Sequence, residues 1–376
     1  MRRSLLPPFI SPVFVALAFA GCTATPTKPA PAVAALPAAA TATATPVAES
    51  PAAPARDISA ARAAFVRSTA QRFNIPAAEI EATLARAQIR ESIIKAMSRP
   101  AEAKPWRDYR PIFIQPARID GGRAFLEKNR AALQRAEDKY GVPKEIITAI
   151  LGVETSYGGN KGSYLVIDAL YTLAFAYPRS GNPEKAAYED KREAFFRDEL
   201  AQLFALGKEE GLDITQLKGS YAGAMGWGQF MPSSYRQYAV DGDGDGRRDL
   251  FNDLDDVFAS VANYFASKGK WQRGGQVMLA AVRDPVAADF VNPGNAVTLD
   301  QTAAGLQALG YRSPEAVAAG AAQPATLITL EGRAGPEYWV VFNNFKAITT
   351  YNISRLYATA VYQLAEAIAG RGVAGA

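Results

Sequence analysis

Residues 141–159 read GVPKEIITAILGVETSYGG. Ile146, Ile147, Ile150, Leu151 and Val153 recur at helical spacing, so the segment is expected to be a helix entered through Pro143 and stopped by Gly158 and Gly159. Glu154 falls on the same apolar stripe, one turn beyond Ile150 and two beyond Ile147, which turns its carboxylate toward the interior. Desolvation there, with the negative end of the helix dipole close by, disfavours the ionised form and raises the pKa. A carboxyl still protonated near neutral pH suits a general acid. From the helix alone a second reading is open, in which a terminal Glu reaches solvent or pairs with Lys161.

Working outward, the segments AARAAFVRSTAQRF and AAEIEATLARA have the spacing of amphipathic helices joined at Asn74-Ile75-Pro76. The Pro-rich and aromatic passage RPAEAKPWRDYRPIF is expected to be irregular, and GGRAFLEKNRAALQRAEDKYG one helix leading into the Glu154 helix. EAFFRDELAQLFALGKEEG is helical with a stop at Gly211. The texture then changes: ATLITLEG and EYWVVFNNF are rich in β-branched and aromatic residues and predict strands of a small sheet. SRLYATAVYQLAEAIAG predicts a closing helix, making the whole a mainly α, α+β protein with its strands late.

The chain begins with a basic Met1-Arg2-Arg3, followed by an apolar run from Leu5 to Ala20 that is short and broken by Pro7, Pro8 and Pro12. That pattern suits a signal peptide better than a spanning helix. Phe19-Ala20-Gly21-Cys22 resembles the lipobox of bacterial lipoproteins, in which the Cys is acylated and becomes the mature N-terminus, although Phe19 stands where Leu is usual. Thr23, rather than Asp, next to that Cys implies an outer-membrane anchor facing the periplasm. From Thr23 to about Pro54 nearly every residue is Ala, Pro, Thr or Val, a composition with little to bury that predicts an extended tether reaching on the order of 100 Å.

Absent residue types narrow the chemistry. The chain has no His, which excludes Ser-His-Asp and Cys-His nucleophiles and His-ligated zinc. Its single Cys is Cys22, so disulfides within the chain are excluded too. Neither a G-x-G-x-x-G helix start nor a Walker loop is present. A net charge of +4 is too weak to argue for nucleic acid, while a mildly basic surface suits anionic envelope polymers. An enzyme working through carboxylates is the simplest survivor.

Two further stretches bear on function. Residues 219–235, GSYAGAMGWGQFMPSSY, combine small residues that permit close backbone approach with Tyr221, Trp227, Phe230 and Tyr235, whose flat faces suit sugar rings. Ser220 and Gln229 add hydrogen-bonding groups, and a tight turn with core aromatics is the alternative. In DGDGDGRRD, Asp241, Asp243 and Asp245 with Gly246 match the opening of an EF-hand loop, to which Arg247 adds its backbone carbonyl. The match fails at the twelfth position, where Asn252 replaces the usual Glu, and a solvated acidic turn is the alternative.

GVETSYG, YLVIDALYTLAFAYPRS, GSYAGAMGWGQFMPSSY and VANYF together resemble the lytic murein transglycosylase B family of periplasmic peptidoglycan-cleaving enzymes, in order and from about Phe65 to the last helix. The resemblance implies a lysozyme-like helical core carrying a single catalytic Glu, which falls on Glu154, with Ser220 and Gln229 at substrate-binding positions. Further substrate-binding positions are implied at Tyr109 in WRDY, Tyr264 in VANYF, and Tyr351, Asn352 and Tyr357 in TYNISRLY. Alignment on VANYF implies that Asp256, with Asp255 as a near competitor, closes a structural calcium loop with Asp241, Asp243, Asp245 and Arg247.

The implied organisation is a leader over 1–21, a tether over 22–56, an N-terminal helical region over 57–130 and the catalytic core over 131–272 with its metal loop at 241–256. A small β-containing subdomain over 273–349 and a closing helical segment over 350–376 complete it. The implied reaction cleaves the β-1,4 bond between N-acetylmuramic acid and N-acetylglucosamine and leaves 1,6-anhydro ends, without a cofactor for the chemistry. Two alternatives stand beside it: a hydrolytic muramidase in which a carboxylate such as Asp168 activates water, and a catalytically silent wall-binding lipoprotein. Peptidoglycan strands and the outer membrane are the implied partners, with proteins of cell-wall synthesis or division as candidates.

Overall fold

The computed structural model describes residues 57–98, 104–291 and 297–372. The expected leader, the Cys22 anchor and the tether to residue 56 lie outside the described residues.

The N-terminal region opens with α1 (Ser59–Phe73) and α2 (Ala77–Leu84), separated where Asn74 turns left-handed at φ 52° and Pro76 starts the next helix. After α3 (Glu91–Ser98) comes α4 (Trp106–Phe113), which corrects the expectation of an irregular passage. Its two prolines fall where a helix tolerates them best: Pro105 precedes the first turn and Pro111 sits near the end of this short element. Trp106 and Phe113 bury one face of α4, with Tyr109 between them at ring-centroid distances of 6.3 and 5.3 Å.

A second correction concerns the single helix expected over 121–141. The structure has two, α5 (Pro116–Lys128) and α6 (Arg130–Tyr140), because Asn129 leaves helical geometry and its side-chain amide donates to Phe125 O at 2.8 Å. α7 (Lys144–Thr155) follows, and every residue from Ile146 to Thr155 is buried. A helix enclosed all round is the axis of the core rather than a surface element with one apolar stripe. It ends at Thr155, earlier than the glycines predict, because Ser156 and Tyr157 already take left-handed φ of 50° and 59°.

A two-stranded antiparallel pair, β1 (Tyr164–Leu165) with β2 (Lys218–Gly219), brackets α8 (Val166–Phe175) and the long α9 (Pro183–Glu210). Asn182 caps α9 at its start and Gly211, left-handed at φ 64°, stops it as predicted. α10 (Pro232–Tyr238) and α11 (Leu254–Ser267) flank the acidic loop.

The late sheet is antiparallel in the order β4-β6-β7-β3-β5. Its elements are β3 (Met278–Arg283), β4 (Gln301–Thr302), α12 (Ala303–Ala308), β5 (Tyr311–Arg312), α13 (Pro314–Gly320), β6 (Pro324–Gly332) and β7 (Gly335–Val341). Alternation along β6 and β7 divides the side chains between two cores. Leu327 and Val340 join a small cluster with Leu306, Tyr311 and Phe342, while Ile328, Trp339 and Val341 face the main core.

The strand expected over EYWVVFNNF stops at Val341, and the rest begins α14 (Asn343–Tyr351). Asn344 fixes that change by donating to Gln272 O and Gly275 O, both at 2.8 Å. A division between residues 349 and 350 therefore falls inside α14, whose Phe345 and Ile348 belong to the main core. α15 (Arg355–Ile368) closes the fold against α7, its first turn capped by Ser354.

Candidate active site

Glu154 lies in the last turn of α7 and is only 8% exposed. The Tyr357 hydroxyl, from the first turn of α15, donates to its Oε1 at 2.5 Å. Burial lifts this carboxyl from its ordinary 4.5 to about 7, and the Tyr357 hydrogen bond pulls the other way without cancelling it. Lys161 does not pair with Glu154; its ammonium lies over the Trp227 ring and reaches Phe251 O at 3.4 Å.

The turn after Glu154 is held in an uncommon shape. Ser156, Tyr157 and Gly158 are left-handed in succession, a geometry that non-glycine residues adopt only when their surroundings enforce it. Tyr157 stacks on Phe125 at 5.5 Å and donates to Arg118 O at 2.8 Å, while Arg118 Nη1 donates to Gly152 O at 2.5 Å. Gly152 has to be a glycine: a Cβ there would lie 2.6 Å from the Tyr157 hydroxyl oxygen. At Gly158 a side chain would strike the Trp227 ring at 2.3 Å, against a φ of 85°. The Thr155 hydroxyl then joins the helix end to the Gly-rich loop through Trp227 O at 3.1 Å.

Tyr109, Tyr351 and Tyr357 gather around the acid. Burial pushes all three phenols above their ordinary range, and the Glu154 charge adds to each shift. Tyr351 donates to Gly228 O at 2.6 Å, which ties α14 to the Gly-rich loop. Tyr264 stands behind it, ring to ring at 4.9 Å, and its hydroxyl donates to Thr350 O at 2.5 Å. Asn352 differs from these in that its Oδ1 is buried with no hydrogen-bond partner among the described residues.

Ser220 and Gln229 shape the loop's own backbone. The Ser220 hydroxyl accepts from Ala222 N at 3.3 Å and Ala224 N at 3.1 Å. Gln229, itself left-handed at φ 51°, donates to Gly226 O at 3.0 Å and Lys161 O at 3.2 Å. The loop is a small bridged structure in which Met225 pairs with both Gly219 and Phe230, rather than a plain turn between helices.

Sequence reasoning missed Arg118, Gly152 and Glu199. Glu199 is buried in α9, its pKa raised by that burial, and accepts from Ser233 N at 2.9 Å and Ser233 Oγ at 2.6 Å, pinning the start of α10. Its signal was an acid amid the apolar spacing of DELAQLFAL; Arg118 and Gly152 had none. Asp168, the carboxylate offered for activating water, is engaged elsewhere: it accepts from Gln88 N and from Arg90 Nε, both at 2.9 Å.

In the acidic loop, carboxylate oxygens of Asp241, Asp243 and Asp256 lie within 4.8 Å of one another. Asp241 is oriented by Gly244 N at 2.6 Å and Gly246 N at 2.8 Å, and Asp256 by Gly242 N and Asp249 N, both at 2.6 Å. Burial raises the Asp256 pKa, and the charges of Asp253 and Asp241 add to the rise. Three convergent carboxylates form a hard-oxygen donor set that fits calcium. Asp255 is drawn off by an ion pair with Arg135 and is not part of this cluster. Asp245 lies outside the converging group, exposed and accepting from Arg247 N at 2.8 Å.

A buried acid ringed by tyrosines, at the end of the axial helix of a mainly helical core, is the arrangement of a glycan-cleaving enzyme of lysozyme-like build. Residues 57–366 match the family described as the transglycosylase SLT domain, and the chain belongs to that family. It is 37% identical over 317 residues to the membrane-bound lytic murein transglycosylase B of Escherichia coli, 81% of each chain being covered.

Among solved structures it resembles the soluble lytic transglycosylase SltB1 of Pseudomonas aeruginosa, with a TM-score of 0.73, 42% identity, and coverage of 82% of this chain and 98% of that one. The Escherichia coli lytic transglycosylase Slt35 in complex with calcium gives a TM-score of 0.70 and 36% identity, over 82% of this chain and 92% of that one. SltB3 of Pseudomonas aeruginosa in complex with NAG-anhNAM-pentapeptide gives 0.71 and 28%, over 86% of this chain and 82% of that one.

Proposed function

We propose that this lytic transglycosylase cleaves the β-1,4 bond between N-acetylmuramic acid and N-acetylglucosamine in peptidoglycan with Glu154 as acid and then base. The observation that carries this reading is a buried carboxyl whose pKa is lifted to about 7, with no second carboxylate among the groups that shift it. Glu154 gives its proton to the departing glycosidic oxygen as the C1–O4 bond breaks. Now a carboxylate, it takes the proton of the muramic C6 hydroxyl while that oxygen bonds to C1, closing a 1,6-anhydro ring. Water is neither consumed nor released, so one group serves both steps where ordinary glycosidases use two. Tyr109, Tyr351 and Tyr357 shape the cleft, Asn352 offers its unpartnered oxygen to the substrate, and Ser220, Gln229 and Tyr264 hold the surrounding frame. The anhydro-bearing complex of SltB3, a related protein, agrees with this product. Mass analysis of muramic ends released from peptidoglycan is the test.

The hydrolytic alternative needs a second carboxylate on the far side of the sugar. The one suggested for it, Asp168, is fixed by Arg90. A silent binding role gives no reason to keep an acid buried against its charge.

Calcium at Asp241, Asp243 and Asp256, with Arg247 supplying its carbonyl, would hold the 241–256 loop and take no part in the chemistry. Asp245 is left as an outer residue of that site. The calcium complex of the related Slt35 supports the choice of ion.

The envelope is the place of action, since murein lies there. Among the described residues no helix is long and apolar enough to cross a membrane. Attachment is assigned to acylated Cys22 at the periplasmic face of the outer membrane, on the basic start, short apolar run and Cys in succession. Cys22→Ser is expected to leave the enzyme folded and active but move it from the membrane fraction to the soluble periplasm. Retention of that variant in salt-washed membranes would refute the anchor.

A further inference from the structure

We propose that Arg355, at the start of the helix that carries Tyr357, is a specificity-determining residue that binds a carboxylate carried by the glycan substrate. The inference rests on the peptidoglycan reading above and names the part of that polymer which Arg355 would recognise.

Arg355 is the opening residue of α15 and lies in the stretch Tyr351-Asn352-Ile353-Ser354-Arg355-Leu356-Tyr357. That stretch supplies the tyrosine bonded to Glu154, a second tyrosine within the acid's electrostatic reach, and the Asn with a buried, unpartnered oxygen.

Its state is the second observation. Among the described residues Arg355 Nη1 is buried without a hydrogen-bond partner, and no carboxylate lies within ion-pair distance of the side chain. Two other partly buried arginines are anchored: Arg110 Nε donates to Gln363 Oε1 at 2.8 Å and Arg118 Nη1 to Gly152 O. Burial lowers the Arg355 pKa, and no neighbouring charge offsets that loss. A guanidinium withdrawn from water without a counter-ion destabilises the free enzyme, so an anion arriving with the ligand has an unusually large effect there. The planar fork of Arg suits a carboxylate, with two parallel N–H donors to its two oxygens.

Peptidoglycan offers carboxylates from two sources, the stem peptide and the lactyl group of muramic residues that have lost their peptide. Chito-oligosaccharides share the sugar backbone and carry neither. The test compares wild type with Arg355→Gln on soluble peptide-bearing strands and on amidase-stripped strands, with chito-oligosaccharides as competing ligands.

The expected result is a rise in KM of about tenfold or more on carboxylate-bearing strands, with kcat and the chito-oligosaccharide inhibition constant unchanged and the melting temperature no lower than that of the wild type. Arg355→Lys, which keeps charge but not the fork, should recover part of the loss. A rise confined to peptide-bearing strands assigns the carboxylate to the stem, and one confined to stripped strands assigns it to the lactyl group. Equal weakening on all three ligands makes Arg355 a packing residue, and no change on any of them removes its role; either result overturns the proposal. Absence of anhydro ends with the wild type would instead strike the underlying reaction, independently of the variant.

Discussion

Glu154→Gln is expected to reduce turnover of peptidoglycan by at least about a hundredfold while leaving glycan binding intact and making the protein more stable at pH 8. Gln keeps the shape and still offers an oxygen to the Tyr357 hydroxyl, but it can neither give nor take the proton. The gain in stability follows from burial. In the folded protein the carboxyl titrates at about 7, against 4.5 when unburied, so between those values the unfolded chain has released a proton that the folded chain still holds. Stability therefore falls as pH rises through that window, and above it the wild type carries a penalty on the order of 3 kcal/mol. The amide removes the penalty above pH 7 and changes little below pH 4.5. Wild-type activity should decline as pH rises through about 7, because only the protonated acid starts the reaction. Kinetics and melting curves at pH 4.5 and pH 8 check both halves; normal turnover by the variant would move the catalytic role elsewhere.

Removing calcium should lower the melting temperature by several degrees. An ion present at a hundred times its dissociation constant contributes about 2.7 kcal/mol. The gathered carboxylates of Asp241, Asp243 and Asp256 repel one another without a cation, and Asp256 also shapes the loop through Gly242 N and Asp249 N. Asp256→Asn should abolish the response to calcium. Asp245→Ala should retain most of it, since that side chain stands apart from the cluster. Activity should persist in chelator well below the new midpoint, because Glu154 works without a metal. Identical melting curves for metal-free and calcium-loaded protein would refute the site.

The helical core was legible because its periodicity is strong. The Glu154 helix, the Gly211 stop and the final helix all announce themselves by spacing and terminal residues. Boundaries set by single side chains were not legible: Asn129 breaks a continuous pattern through one amide, and Asn344 ends a strand-like run by bonding to the chain before β3. The aromatic face of α4 outweighed prolines that argued against a helix. At the site, Glu154 could be found from its stripe. Its seal could not, since Tyr357, Tyr109 and Arg118 approach from distant parts of the chain and only folding brings them together. Ser220 and Gln229 lie in a motif that stands out, yet their hydrogen bonds run to backbone that the motif alone does not locate.

In the reaction proposed for Glu154 the muramic C6 oxygen, not water, attacks C1. Digestion of purified peptidoglycan in water enriched in oxygen-18, with mass analysis of the fresh muramic ends, tests it directly. The expected ends are anhydro, lighter than reducing ends by one water and free of the heavy isotope. Reducing ends carrying one oxygen-18 would show that water is the acceptor and would rule out attack by the C6 oxygen.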